Sequence, residues 1–167
     1  MKTTEARDSR ISGLIGLFDM QTNFFYSVLD DISATDMHNR LDTKANHIAW
    51  LAGSLVQQRY EMAAGLLTGL EYKQTAYDLF KDNQGIKDDV TYPSAVQYMK
   101  DWENISPLLY DALLNADAEK LNSEVEIPGM KISFFELISF SIYREANHIG
   151  QMALWRRLLG YEPMKYM

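Results

Sequence analysis

The stretch Ser133-Phe134-Phe135-Glu136-Leu137-Ile138-Ser139-Phe140-Ser141-Ile142-Tyr143-Arg144-Glu145-Ala146-Asn147-His148-Ile149-Gly150-Gln151-Met152-Ala153-Leu154-Trp155-Arg156-Arg157-Leu158-Leu159-Gly160 reads as one long helix with both ends marked. Ser133 and Glu136 have the spacing of a capping box, in which each side chain satisfies a backbone donor that the first turn leaves free. Arg156 and Arg157 bring positive charge to the negative helix end, and Gly160 supplies the stop. From Phe134 to Leu159 such a helix is about 39 Å long at 1.5 Å per residue.

Three further segments match it. Ile11, Leu14, Ile15, Phe18, Phe25, Val28 and Leu29 recur at helical spacing, which predicts a first helix from about Ser9 to Asp30. Gln21 and Thr22 interrupt its apolar stripe, and polar atoms placed there must find partners or line a cavity. A second helix is expected to open near Asp42 or Thr43, either able to cap it, and to reach about Leu67. Its main stripe is Ile48, Ala52, Leu55, Met62 and Leu66. A neighbouring mixed face carries His47, Leu51, Ser54 and Gln58, as a helix beside a polar pocket does. The third starts near Pro93 and ends about Asn115, with Val96, Met99, Trp102, Ile105, Leu109 and Leu113 inward and a kink expected at Pro107.

The connections are as informative as the helices. Thr68 to Tyr92 is polar, broken by Asp82-Asn83-Gln84-Gly85, with room for one short helix around Gln74 to Phe80. About 25 residues is too long for a turn between antiparallel neighbours, so it is expected to cross over and let the second and third helices run parallel. Glu124 to Ile132 has the pattern of a short hairpin whose Pro128-Gly129 suits a type II turn. The expected architecture is therefore an all-α four-helix bundle, with a long crossover between helices two and three and a hairpin before helix four, in one domain over residues 1–167.

Composition narrows the function. The chain has 167 residues, 16 Lys+Arg against 23 Asp+Glu and a formal charge of −7, which disfavours nucleic acid and anionic membranes as partners. It has no cysteine, which excludes disulfides, thiolate nucleophiles and Cys-ligated metals. No stretch is long and apolar enough to span a membrane, and no signal core follows the N-terminus, so a cytoplasmic location is expected. No glycine-rich phosphate loop, Gly-x-Ser-x-Gly elbow or His-Glu-x-x-His motif occurs.

Three histidines remain for chemistry: His38, His47 and His148. His38 lies in a turn-rich connection and reads as exposed or locally bonded. His148 shares a polar stripe with Ser141, Arg144 and Gln151 on the fourth helix. Two readings stand side by side. The stripe marks the solvated edge of the bundle, or it faces His47, Ser54 and Gln58 across a central cavity. Tyr161 to Met167 forms an aromatic tail that packs either on a partner subunit or on its own bundle.

Arg144-Glu145-Ala146-Asn147-His148-Ile149-Gly150-Gln151, running on to Arg156-Arg157-Leu158-Leu159-Gly160, resembles the last helix of the DinB/YfiT-like superfamily. There a histidine, three residues, a second histidine and Gly-Gln precede the Arg-Arg-Leu-Leu-Gly ending. Asn46-His47-Ile48-Ala49-Trp50-Leu51-Ala52-Gly53-Ser54 is similar to that family's second helix, where a tryptophan is followed four residues later by the first metal-binding histidine. The resemblance implies an up-down-down-up bundle, commonly a homodimer, holding a divalent metal through three histidines, with some members acting on substrates through small thiols.

This sequence departs from that pattern at two ligand positions: Ser54 stands at the first and Arg144 at the second, leaving His148. A catalytic site of this kind needs about three protein ligands, serine is a poor one, and arginine has no lone pair to give. His47 lies two turns before Ser54, about 10.5 Å along the axis, too far for a simple exchange. No metal is therefore expected. Arg144 is instead expected to act as a built-in cation, with Ser54, His148, Gln151, His47 and Gln58 around it. It either binds a small anion or pairs internally with Glu145 or Asp19. The alternatives are a Zn-, Ni- or Fe-dependent transferase or hydrolase using His148 with His47 or Glu145, and a structural or regulatory homodimer with a vestigial pocket.

Overall fold

The computed structural model describes residues 5–69 and 73–166. Its long helices are α1 (Ser9–Leu29), α2 (Ile48–Leu66), α4 (Ala95–Asn115) and α6 (Phe134–Leu158), joined by the short helices α3 (Tyr77–Phe80) and α5 (Ala118–Asn122) and the hairpin β1 (Glu124–Ile127) and β2 (Met130–Ser133). The protein is mostly helical. The α6 capping box forms as its spacing requires: Ser133 accepts from Glu136 N while the Glu136 carboxylate accepts from Ser133 N. Gly129 at φ +87° lets the hairpin turn, pairing Ile127 with Met130 and Glu124 with Ser133.

α2 packs on α4 and α6, and α1 packs on the same two helices. Residues Ile48 to Gln57 are all buried except the half-buried Trp50, so α2 is enclosed on nearly every side. Gly53 makes that possible. A Cβ there would lie 2.3 Å from Phe80 and 2.5 Å from the Tyr98 hydroxyl. On the other flank, Phe25 stacks on Trp102 with ring centroids 4.1 Å apart, and the Trp102 indole donates to the Thr22 carbonyl.

One expected boundary is corrected. α2 does not begin at Asp42 or Thr43, because Leu41 and Asp42 both take left-handed backbone (φ +46° and +58°). Arg40 then binds the Lys44 and Ala45 carbonyls, which keeps the segment as a turn. The helix opens after His47, whose Nδ1 accepts from Trp50 N as its N-cap. α4 opens after Ser94, whose hydroxyl caps it, next to the expected Pro93, and carries Pro107 inside a single helix, as expected. α5, capped by Asp117, was not foreseen. The tail lies on its own chain: Tyr166 meets Phe24 edge-on, and Lys165 N donates to Ser27. No helix among the described residues is long and apolar enough to cross a membrane.

Candidate functional site

A cavity of about 270 Å³ opens between α2, the α3 segment and the first half of α6. Trp50 and Phe80 wall it on one side, Leu137 and Phe140 on the other. Its polar lining comes mainly from one strip of α2, where Ser54, Gln57, Gln58 and Glu61 fall at helical spacing on one face. Asn83, Gln84, Ser141 and Arg144 complete it.

Arg144 is the cation of this cavity. Its Nη1 donates to Gln58 Oε1 at 2.9 Å and to the Ser54 carbonyl at 3.5 Å. Gln58 in turn donates to the Ser141 carbonyl at 3.0 Å, which fixes which end of its amide faces Arg144. Burial lowers the pKa of the guanidinium, and the carboxylates of Glu61 and Glu145 partly restore it. Arg144 forms no ion pair among the described residues. Among the described residues only Nη1 of its fork has an acceptor, although guanidinium geometry suits a planar anion.

The expected internal partners of Arg144 are corrected here. Glu145 is buried and belongs to Arg59, with Nε and Nη2 of the guanidinium on its two oxygens at 2.8 and 2.7 Å. Asp19 is exposed on α1 and makes no ion pair among the described residues. Arg59 itself was not singled out from the sequence. The available signal was Thr22, flagged as a polar residue needing a partner, which accepts from Arg59 Nη1 at 2.8 Å.

Of the residues expected in one polar pocket, Ser54, Gln58 and Arg144 come together, and Gln57 and Glu61 join them unforeseen. Gln151 does not border the cavity; it is exposed and donates to Asn147. His47 caps α2 and packs against His38 and Tyr92, with ring centroids 5.2 and 5.1 Å away. His38 is held locally through Ala34 O, and its Nε2 also accepts from Tyr92 N.

His148 stands behind Trp50, its ring roughly parallel to the indole at 6.4 Å. Its Nδ1 is buried without a hydrogen-bond partner of normal geometry among the described residues. Burial, with the Arg144 charge as the lesser cause, holds its pKa down to about 4, so the ring is neutral near pH 7. The alternative metal set of His148, His47 and Glu145 does not assemble, because His47 caps a helix and Glu145 is bound by Arg59. No group of three or more His, Cys, Asp or Glu side chains that could hold a metal occurs among the described residues. Comparison of the chain with protein-family models and with curated proteins finds no match in either.

Proposed function

We propose that this is a DinB-like bundle protein without a three-histidine metal centre, whose cavity binds a small ligand through a carboxylate or similar anionic group. The observation that carries the reading is Arg144, a guanidinium on the cavity wall whose acceptors among the described residues are neutral oxygens. The up-down-down-up arrangement belongs to the same proposal, and the contacts support it. Arg10 lies over Phe135, and Arg156 reaches the Val28 carbonyl, so α1 and α6 share a direction. Phe25 meets Trp102 while Arg7 N binds Leu114 O, so α4 opposes α1. Arg59 binds Ser106, and Gly53 meets Tyr98, so α2 follows α4.

The test is thermal unfolding of the purified, tag-free protein in graded acetate, succinate and phosphate. At least one of these raises the melting temperature, and Arg144→Ala abolishes the response. A stoichiometric divalent ion in the same preparation overturns the reading.

Self-association forms part of this proposal. The outward face of α6 carries Tyr143, Leu154 and Leu158, all more than half exposed and uncharged. In an antiparallel α6 pair centred near Asn147, the exposed Glu136 of one copy falls opposite the exposed Arg157 of the other, a self-complementary arrangement. Leu154→Lys then yields a monomer by sedimentation while the cavity is untouched; an unchanged oligomeric state removes this face from the proposal.

A further inference from the structure

The cavity holds two formal charges of opposite sign, Arg144 and Glu61, and its other lining residues are uncharged. These two groups do not pair with each other. Each is held instead by one of two adjacent glutamines. Gln58 accepts from Arg144, and Gln57 donates to the Glu61 carboxylate at 2.8 Å.

The amide orientations are set from behind. Buried Gln74 donates to Gln57 Oε1 at 2.9 Å and to the Gly53 carbonyl at 3.1 Å, so the NH₂ end of Gln57 points toward Glu61. Gln57 and Gln74 are only 5% and 4% exposed. An ionised carboxylate has about four lone-pair positions, and Gln57 takes one of them. A cation and an anion lying loose on a surface would collapse into an ion pair or solvate independently. Here oriented amides, the half-buried Gln58 and the buried Gln57, support both, on walls that are otherwise neutral.

We infer that the ligand is a small zwitterion whose carboxylate is taken by Arg144, whose ammonium is taken by Glu61, and whose hydrocarbon part lies against Trp50 and Phe140. This rests on the anion-binding reading above and sharpens it. A plain anion gains from Arg144 but is repelled by Glu61, whereas a molecule carrying both charges is matched at both ends. The size is consistent. About 270 Å³ is the space of roughly nine waters at about 30 Å³ each, enough for an amino-acid-sized molecule.

The experiment is calorimetric titration of the whole protein with three matched probes: phenylalanine, 3-phenylpropanoate and 2-phenylethylamine. A second series of leucine, 4-methylpentanoate and 3-methylbutylamine covers an aliphatic side chain. In at least one series the zwitterion binds tenfold or more tightly than the carboxylate-only analogue. Glu61→Gln removes that advantage without weakening the carboxylate-only probe, and Arg144→Ala weakens both. Glu61 is exposed and its replacement is isosteric, so the variant's fold, checked by circular dichroism, is preserved. If the carboxylate-only probe binds as well as the zwitterion, the zwitterion inference fails while the anion site stands. If none of the six probes binds, the zwitterion inference fails; if acetate, succinate and phosphate are also without effect, the underlying reading fails with it.

Discussion

Arg59 and Glu145 meet in a two-pronged ion pair at the centre of the protein, with the guanidinium fully buried between Phe18 and Trp102. The guanidinium carbon lies 4.0 Å from the Phe18 ring centre and 3.5 Å from that of Trp102. Thr22 and Ser106 accept from its remaining donor. The cluster thus ties together α1, α2, α4 and α6, each of which contributes at least one of these side chains.

Breaking this pair from one side leaves a charge buried and unmatched. Glu145→Ala is expected to destabilise the protein by about 3–5 kcal/mol. Replacing both residues with methionine removes the stranded charge and is expected to recover much of that loss. Urea unfolding of the single and double variants measures the coupling. Equal losses in all three variants would show that packing around the cluster, rather than its charge, sets the stability.

Gly53→Ala tests the close approach of α2 to its neighbours. The added methyl collides with Phe80 and with the Tyr98 hydroxyl, both buried and hemmed in. A loss of roughly 1–3 kcal/mol is expected, typical of an overpacked core. Because Phe80 also walls the cavity, ligand affinity should fall as well. A neutral effect on melting would mean that Phe80 swings aside freely.

Acid sensitivity follows from the histidines. His47 and His148 are each held to about 4, below the ordinary 6.5, chiefly by burial. The lesser causes are His38 for His47 and the Arg144 charge for His148. Between these values the unfolded chain binds protons that the folded one refuses, so stability rises with pH across the window. The contribution is complete above about 6.5 and is lost as pH falls toward 4. Melting temperatures from pH 7.5 down to 4.5 should fall, and His47→Asn with His148→Gln should flatten the slope. Asparagine preserves a helix cap at position 47. An unchanged slope in the double variant would assign the acid response to carboxylates.

The resemblance to a metal-binding bundle has its own check. Ser54→His together with Arg144→His places imidazoles at the two positions where the resemblance implies metal ligands and removes the repelling cation. The variant is expected to gain stabilisation by Ni²⁺ or Zn²⁺ that the parent lacks, read as a metal-dependent rise in melting temperature. Absence of any gain would break the positional match on which the family reading rests.

Much of the helical framework was legible because its signals are local. Ser133 and Glu136 are three residues apart, and a capping box needs nothing else. The stripe from Ile11 to Leu29 and the Pro128-Gly129 turn were likewise set by near neighbours. The start of α2 was not, because Thr43 is an acceptable cap and only the left-handed turn at Leu41 and Asp42 displaces the helix to His47. Ser54, Gln58 and Arg144 line one cavity, whereas Gln151 shares the periodicity of Arg144 but lies past the point where α6 stops facing it. Arg59 escaped notice because a lone arginine in a helix ordinarily points to solvent.

The sequence by itself determined the rough course of the four long helices, where α6 begins and ends, and that positions 54 and 144 offer a hydroxyl and a guanidinium. Those properties depend on contacts within a turn or two of chain. Only the tertiary structure decided that Glu145 belongs to Arg59, that Arg144 is left to the cavity, and that Glu61 shares that cavity with no ion pair among the described residues. Charge partners in a buried interior are chosen by which helices cross and at what height, and that information is spread over residues up to 86 positions apart.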